Sequence, residues 1–108
     1  MLGWSIAVYR QAESGLLPAT SQSSKGLRLA LWQAGLGGRD WLRELVKTGN
    51  AIDLGGDGYP CQYTATAEHL IPQIIHTSPA TRNKLIDSTA IAQCPLADWL
   101  LVEAWDES

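Results

Sequence analysis

The tetrapeptide Gly55-Gly56-Asp57-Gly58 constrains this chain more than any other segment, because it separates two short alternating runs, Ala51 to Leu54 and Tyr59 to Ala65. Glycine and aspartate between such runs predict a β-hairpin, since they adopt turn conformations that other side chains disfavour. In the second run Tyr59, Cys61, Tyr63 and Ala65 fall on one face, and Pro60 marks a position near its start that cannot be fully paired. A phosphate-binding loop would need the same glycines to open a helix with a lysine close by; here they open a strand.

A hairpin in the middle of a chain needs a sheet around it, and both ends supply strands. Trp4, Ile6 and Val8 alternate with Ser5, Ala7 and Tyr9. Trp99 to Trp105 is apolar on both parities until Glu103, as a central strand requires. Over 27–34 the helix-forming types Leu, Arg, Ala and Gln compete with a strict alternation of Leu27, Leu29 and Leu31. Alternation reflects packing and propensity is a weak prior, so a strand is expected there. Gly35 to Gly38 then breaks the chain.

Helices fill the remainder. Asp40 to Thr48 puts Trp41, Leu42, Leu45 and Val46 on one face and Arg39, Arg43 and Lys47 on a solvated one, with Gly49 as a left-handed cap. Thr66 is the expected N-cap of a second helix carrying Leu70, Ile71, Ile74 and Ile75, kinked or broken at Pro72. Ser78-Pro79 predicts a third helix reaching about Ile86, followed by a connector over 87–97. Gln11 to Lys25 is Ser-rich and pattern-free, so it is expected to be a long mobile loop. Leu16, Leu17 and Pro18 within it are candidates to tack it to the body or to a partner. The order β, β, α, β, β, α, α, β predicts a single α+β domain over 1–108. Its sheet should be mainly antiparallel, of about four to five strands, with two to three helices on one face.

Several function classes are argued against. The net charge is -3 and the basic residues are scattered, which disfavours a phosphate-neutralising nucleic-acid surface. The Met1-Leu2-Gly3-Trp4 start has no basic region or long apolar run, and no stretch approaches the ~20 apolar residues of a membrane span. A cytoplasmic protein with Cys61 and Cys94 as free thiols is therefore expected. His69 and His76 are seven residues apart and no HxxxH, CxxC or nucleophile-elbow pattern occurs, so no metal, cofactor or catalytic site is expected.

Three readings of the chemistry remain. Tyr59, Cys61, Tyr63 and His69, with Asp53, form the nearest approach to a non-standard active site. Five Trp and three Tyr, with no Phe, either fill the core in place of Phe or line a small-molecule pocket. The favoured reading is a small acidic, non-catalytic protein-binding domain of the inhibitor, antitoxin or immunity kind. Trp99 and Trp105 would be its anchors, and Glu103, Asp106 and Glu107 a negative rim facing a basic protein. Association into a homodimer is also allowed.

Overall fold

Leu100, Leu101 and Val102 offer water nothing but backbone on either side of a strand, so the sheet must cover that strand on both faces. The computed structural model describes residues 3–13, 15–20, 22–34, 39–55, 60–76 and 82–106, apart from the side chains of 82–84. Its elements are β1 (Trp4–Gln11), β2 (Lys25–Ala34), α1 (Asp40–Lys47), β3 (Ala51–Gly55), β4 (Cys61–Thr66), α2 (Ala67–Ile75), β5 (Arg82–Ile86), α3 (Ser88–Gln93) and β6 (Trp99–Asp106). The six strands form one antiparallel sheet in the order β3-β4-β6-β1-β2-β5. The α+β class is as the sequence predicts, and the sheet is one strand larger.

Strand β6 lies between β1 and β4, with Val102 opposite both Val8 and Tyr63. Its even-numbered residues Leu100, Val102 and Ala104 join Ile6, Val8 and Trp32 in the main core. All three helices bury their apolar side chains in that same cluster, through Leu42 of α1, Leu70 and Ile74 of α2, and Ile91 of α3. The helices therefore cover one face of the sheet.

Local signals set most boundaries. The end of α1 is a Schellman motif: Asn50 N–H donates to Leu45 and Gly49 N–H to Val46, with Gly49 at φ 83°. Thr66 has the extended backbone of an N-cap, but its hydroxyl does not cap α2. The first two amides of α2 donate instead to the carbonyls of Asp98 and Leu96, which makes a side-chain cap redundant. The helix runs on through Pro72 to Ile75.

Residues 82–88 depart from expectation. The expected helix ending near Ile86 is β5, and the expected connector contains α3. An edge of β2 was open, and pairing with it outweighs the local preference of Arg82–Ile86. Asp87 then caps α3 by accepting from Ala90 N–H at 2.9 Å. The glycine break at 35–38, the turn at 56–59 and the Ser78-Pro79 start lie outside the described residues.

Between β1 and β2, Ala12 N–H donates to Ser24 across the base of the loop, and two of its described residues meet the body: Trp99 N–H donates to Gly15, and Ala19 N–H to the Thr64 hydroxyl, with Ala19 buried.

Leu100 is fully buried and Leu96 is 60% exposed. Leu100→Ala should therefore cost about 2–5 kcal/mol, whereas Leu96→Ala should fall within about 0.5 kcal/mol of the wild type. Urea unfolding of both variants checks the contrast.

Candidate functional site

The sheet register sorts the expected interface residues. Trp99, Leu101, Glu103 and Trp105 share the face of β6 opposite the helices, because successive strand residues point to opposite sides. Cross-strand rows run over this face, which no helix covers among the described residues. One is Leu85, Leu31, Ala7, Glu103 and Gln62 from β5 across to β4; another is Gln33, Ser5 and Trp105; a third is Arg28, Tyr9, Leu101 and Thr64. The loop crosses the Thr64 and Leu101 end of the third row, and both residues are fully buried. Trp105, Tyr9, Leu31 and Gln62 remain half-buried, and Leu85 is exposed.

Glu103 lies at the centre of this face and is buried. Lys25 Nζ donates to its Oε1 at 3.0 Å and Gln62 Nε2 to its Oε2 at 3.1 Å. The Lys25 ammonium also stands 5.2 Å from the centroid of the Tyr9 ring. The hydrogen bond to Glu103 holds the Lys25 pKa above its ordinary value, against a smaller opposing effect of burial. Glu103 is thus enclosed and neutralised, not presented as a rim. Asp106 falls on the opposite parity, facing the side of the helices and paired in register with Trp4. Trp99 and Trp105 flank Glu103 on the uncovered face, and Glu107 lies outside the described residues.

A second cluster sits on the helical side. Arg39, expected on the solvated face of α1, is its N-cap residue and turns inward. Its guanidinium carbon lies 4.1 Å from the Trp4 ring centroid, and Nη1 donates to Cys61 Sγ at 3.2 Å. Burial pushes the Tyr63 phenol above its ordinary range, with Arg39 partly opposing. A phenol held protonated donates a proton and does not serve as a base at neutral pH. Asp53, opposite Tyr63 in register, accepts from Gly55 N–H at 2.8 Å. His69 is on α2, and Tyr59 lies outside the described residues. Cys61 and Cys94 are buried and not joined to each other in a disulfide, and burial raises the Cys94 pKa.

The recesses give a similar picture. One of ≈ 610 Å³ runs along β2 and β5, and one of ≈ 210 Å³ lies among polar residues of the loop; no tryptophan lines either. Among the described residues there is no group of three or more His, Cys, Asp or Glu able to hold a metal ion, and no helix is long and apolar enough to cross a membrane. No protein-family model, curated protein or solved structure matches the chain.

Lys25, Gln62 and Arg39 are the residues that sequence reasoning missed. Only the apolar setting of Glu103 hinted that a cation had to reach it.

Removing Lys25 strands a buried carboxylate, whereas neutralising Glu103 leaves a half-exposed ammonium that water can solvate. Lys25→Met should therefore destabilise more than Glu103→Gln, by about 1–3 kcal/mol. A raised folded-state pKa means that the Lys25 contribution is complete below its ordinary value of 10.5 and is lost as pH rises through the folded value. Urea midpoints of wild type and Lys25→Met should accordingly converge above pH 10.5 and stay apart at neutral pH.

Proposed function

We propose that this chain is a non-catalytic binding protein that engages another protein through the uncovered face of its sheet, as inhibitors, antitoxins and immunity partners do. One observation carries the reading: Trp105, Tyr9 and Leu31 stand half-buried, and Leu85 exposed, on the side of the sheet opposite the helices. Apolar and aromatic residues grouped on an uncovered surface are what interfaces are built from. The anchors sit on strands of a hydrogen-bonded sheet, so little order is lost when a partner docks. Trp105 is the central anchor and Trp99 a flanking one beside the loop. Glu103 ties Lys25 and Gln62 together at the middle of the face.

The net charge of -3 favours a basic partner, through long-range steering rather than through contact. Asp106 contributes to that field from the end of β6, and Glu107 adds to the negative charge of the chain. The proposed setting is the cytoplasm.

The test compares wild type with a Trp105→Ser, Leu31→Ser double variant as bait in the same lysate. Circular dichroism melts establish first that both are folded. A protein retained by the wild type should fall at least tenfold on the variant. Once purified, that protein should bind the wild type with an on-rate that drops as salt is added. Equal retention by both baits, or a partner whose association is indifferent to the double substitution, overturns the reading.

A further inference from the structure

Leu16 and Leu17 are 80% and 74% exposed, more than any other large apolar side chain among the described residues. The backbone around them is hydrogen-bonded to the body. Trp99 N–H donates to the Gly15 carbonyl at 2.8 Å, Gln11 Nε2 to the Leu17 carbonyl at 2.9 Å, and Ala19 N–H to the Thr64 hydroxyl at 3.1 Å. Gly15 approaches β6 so closely that a Cβ there would stand 2.8 Å from Asp98 Cγ. Pro18 fixes its own φ next to the pair. Two leucines are therefore held out from the body on a hydrogen-bonded support, which lowers the conformational entropy lost on seating them in a partner.

The same chain carries a receptor of matching chemistry. β5 pairs with β2 at Ala30, Leu31 and Gln33, so among the described residues the outer edge of Lys25–Arg28 has no strand beside it. The ≈ 610 Å³ groove runs there, with exposed Leu27 and Leu85 and half-buried Ile86 as its apolar side chains over the buried Leu29, and Arg28 and Asp87 as its polar edges. Leu27 and Leu85 are each 55% exposed. The volume lies within the ~300–1,000 Å³ of pockets that enclose whole small molecules, which is ample for two leucine side chains.

Charge fits as well. Glu13, three residues before Leu16, and Arg28, on the groove, are both exposed, and neither has an ion pair among the described residues. The prong cannot fill its own groove. It is pinned over β6 and β4, while the groove lies at β5, three strand spacings or roughly 14 Å across the sheet from β6.

We infer that copies of this chain associate head to tail, with Leu16 and Leu17 of one seated in the β2–β5 groove of the next and Glu13 facing Arg28 across the rim. Such a contact joins two different surfaces, so it builds rings or open filaments and not a two-fold dimer. It occupies the Arg28 and Leu85 edge of the face opposite the helices and leaves Trp99 and Trp105 free.

Sedimentation of the full chain over a wide concentration range tests this. The wild-type average mass should rise past twice that of the monomer. A Leu16→Ser, Leu17→Ser variant should stay monomeric, and so should Leu27→Ser, Leu85→Ser. All four side chains are largely exposed, so melting temperatures should stay close to wild type. An equimolar mixture of the two variants retains one working prong and one working groove. It should form complexes of two chains and nothing larger. The inference is overturned by a wild type that stays monomeric throughout, by variants that assemble like the wild type, or by a mixture that fails to recombine. It is equally overturned if the wild type is monomeric but floats with phosphatidylcholine vesicles and the Leu16→Ser, Leu17→Ser variant does not, since the leucines then serve a lipid surface.

Discussion

The last strand in the chain occupies the middle of the sheet, and the rest of the structure follows from that. β6 separates the β1-β2-β5 half from the β3-β4 half, and each half pairs with β6 and not with the other. The buried run Leu100–Ala104 is therefore what joins them. Its pairings are long in sequence, as are those of its lead-in: Arg10 meets Asp98 at 2.9 Å, 88 residues away. Closing such long loops before the reward of packing arrives slows folding. Because the helices lie on one side, the second face of β6 must be covered by other means. The loop does this over Leu101 and Thr64, and the Lys25–Glu103 pair does it at the centre.

Elements whose signals are local could be read from the sequence. The β3–β4 pairing rests on two alternating runs, α1 on one apolar face with a glycine behind it, and β6 on an apolar run too short for most helices. β5 could not be read this way, because Arg82–Ile86 owes its conformation to the open edge of β2, 49 or more positions earlier in the chain. Once a helix was expected over that stretch, the capping signal of Asp87 was absorbed into a connector. The candidate face was legible in part. Strand parity alone groups Trp99, Glu103 and Trp105 and sends Asp106 the other way. The partners of Glu103 were not legible, since Lys25 and Gln62 reach it from strands 78 and 41 residues away.

The tryptophans divide between the two faces, and the division explains why Trp serves where Phe would be usual. Trp32 and Trp41 stack at 6.2 Å with their planes 25° apart, and Arg39 lies over Trp4. These contacts fasten the start of α1, in which Leu42 is the one fully buried residue. An isolated helix of this length is unstable in water, so its position depends on such tertiary contacts. A broad indole reaches from the core edge to a helix terminus. On the opposite face Trp99 and Trp105 use the same amphipathic shape to border an uncovered sheet.

A buried ion pair in that sheet is not the most stabilising choice. Replacing such a pair with apolar residues of similar volume is often neutral or favourable, because both charges must be desolvated. At position 103, however, an apolar side chain would complete an unbroken row with Leu31 and Ala7, beside Trp105, across a face that no helix covers. Continuous apolar surfaces of that kind associate without regard to partner. Glu103 interrupts the row, and it can be buried only because Lys25 and Gln62 satisfy both of its oxygens. Lys25 keeps 46% of its side chain exposed, so water shares the charge and limits the cost of desolvation. The pair thus places a satisfied charge, and not an apolar side chain, between Ala7 and Gln62 in that row.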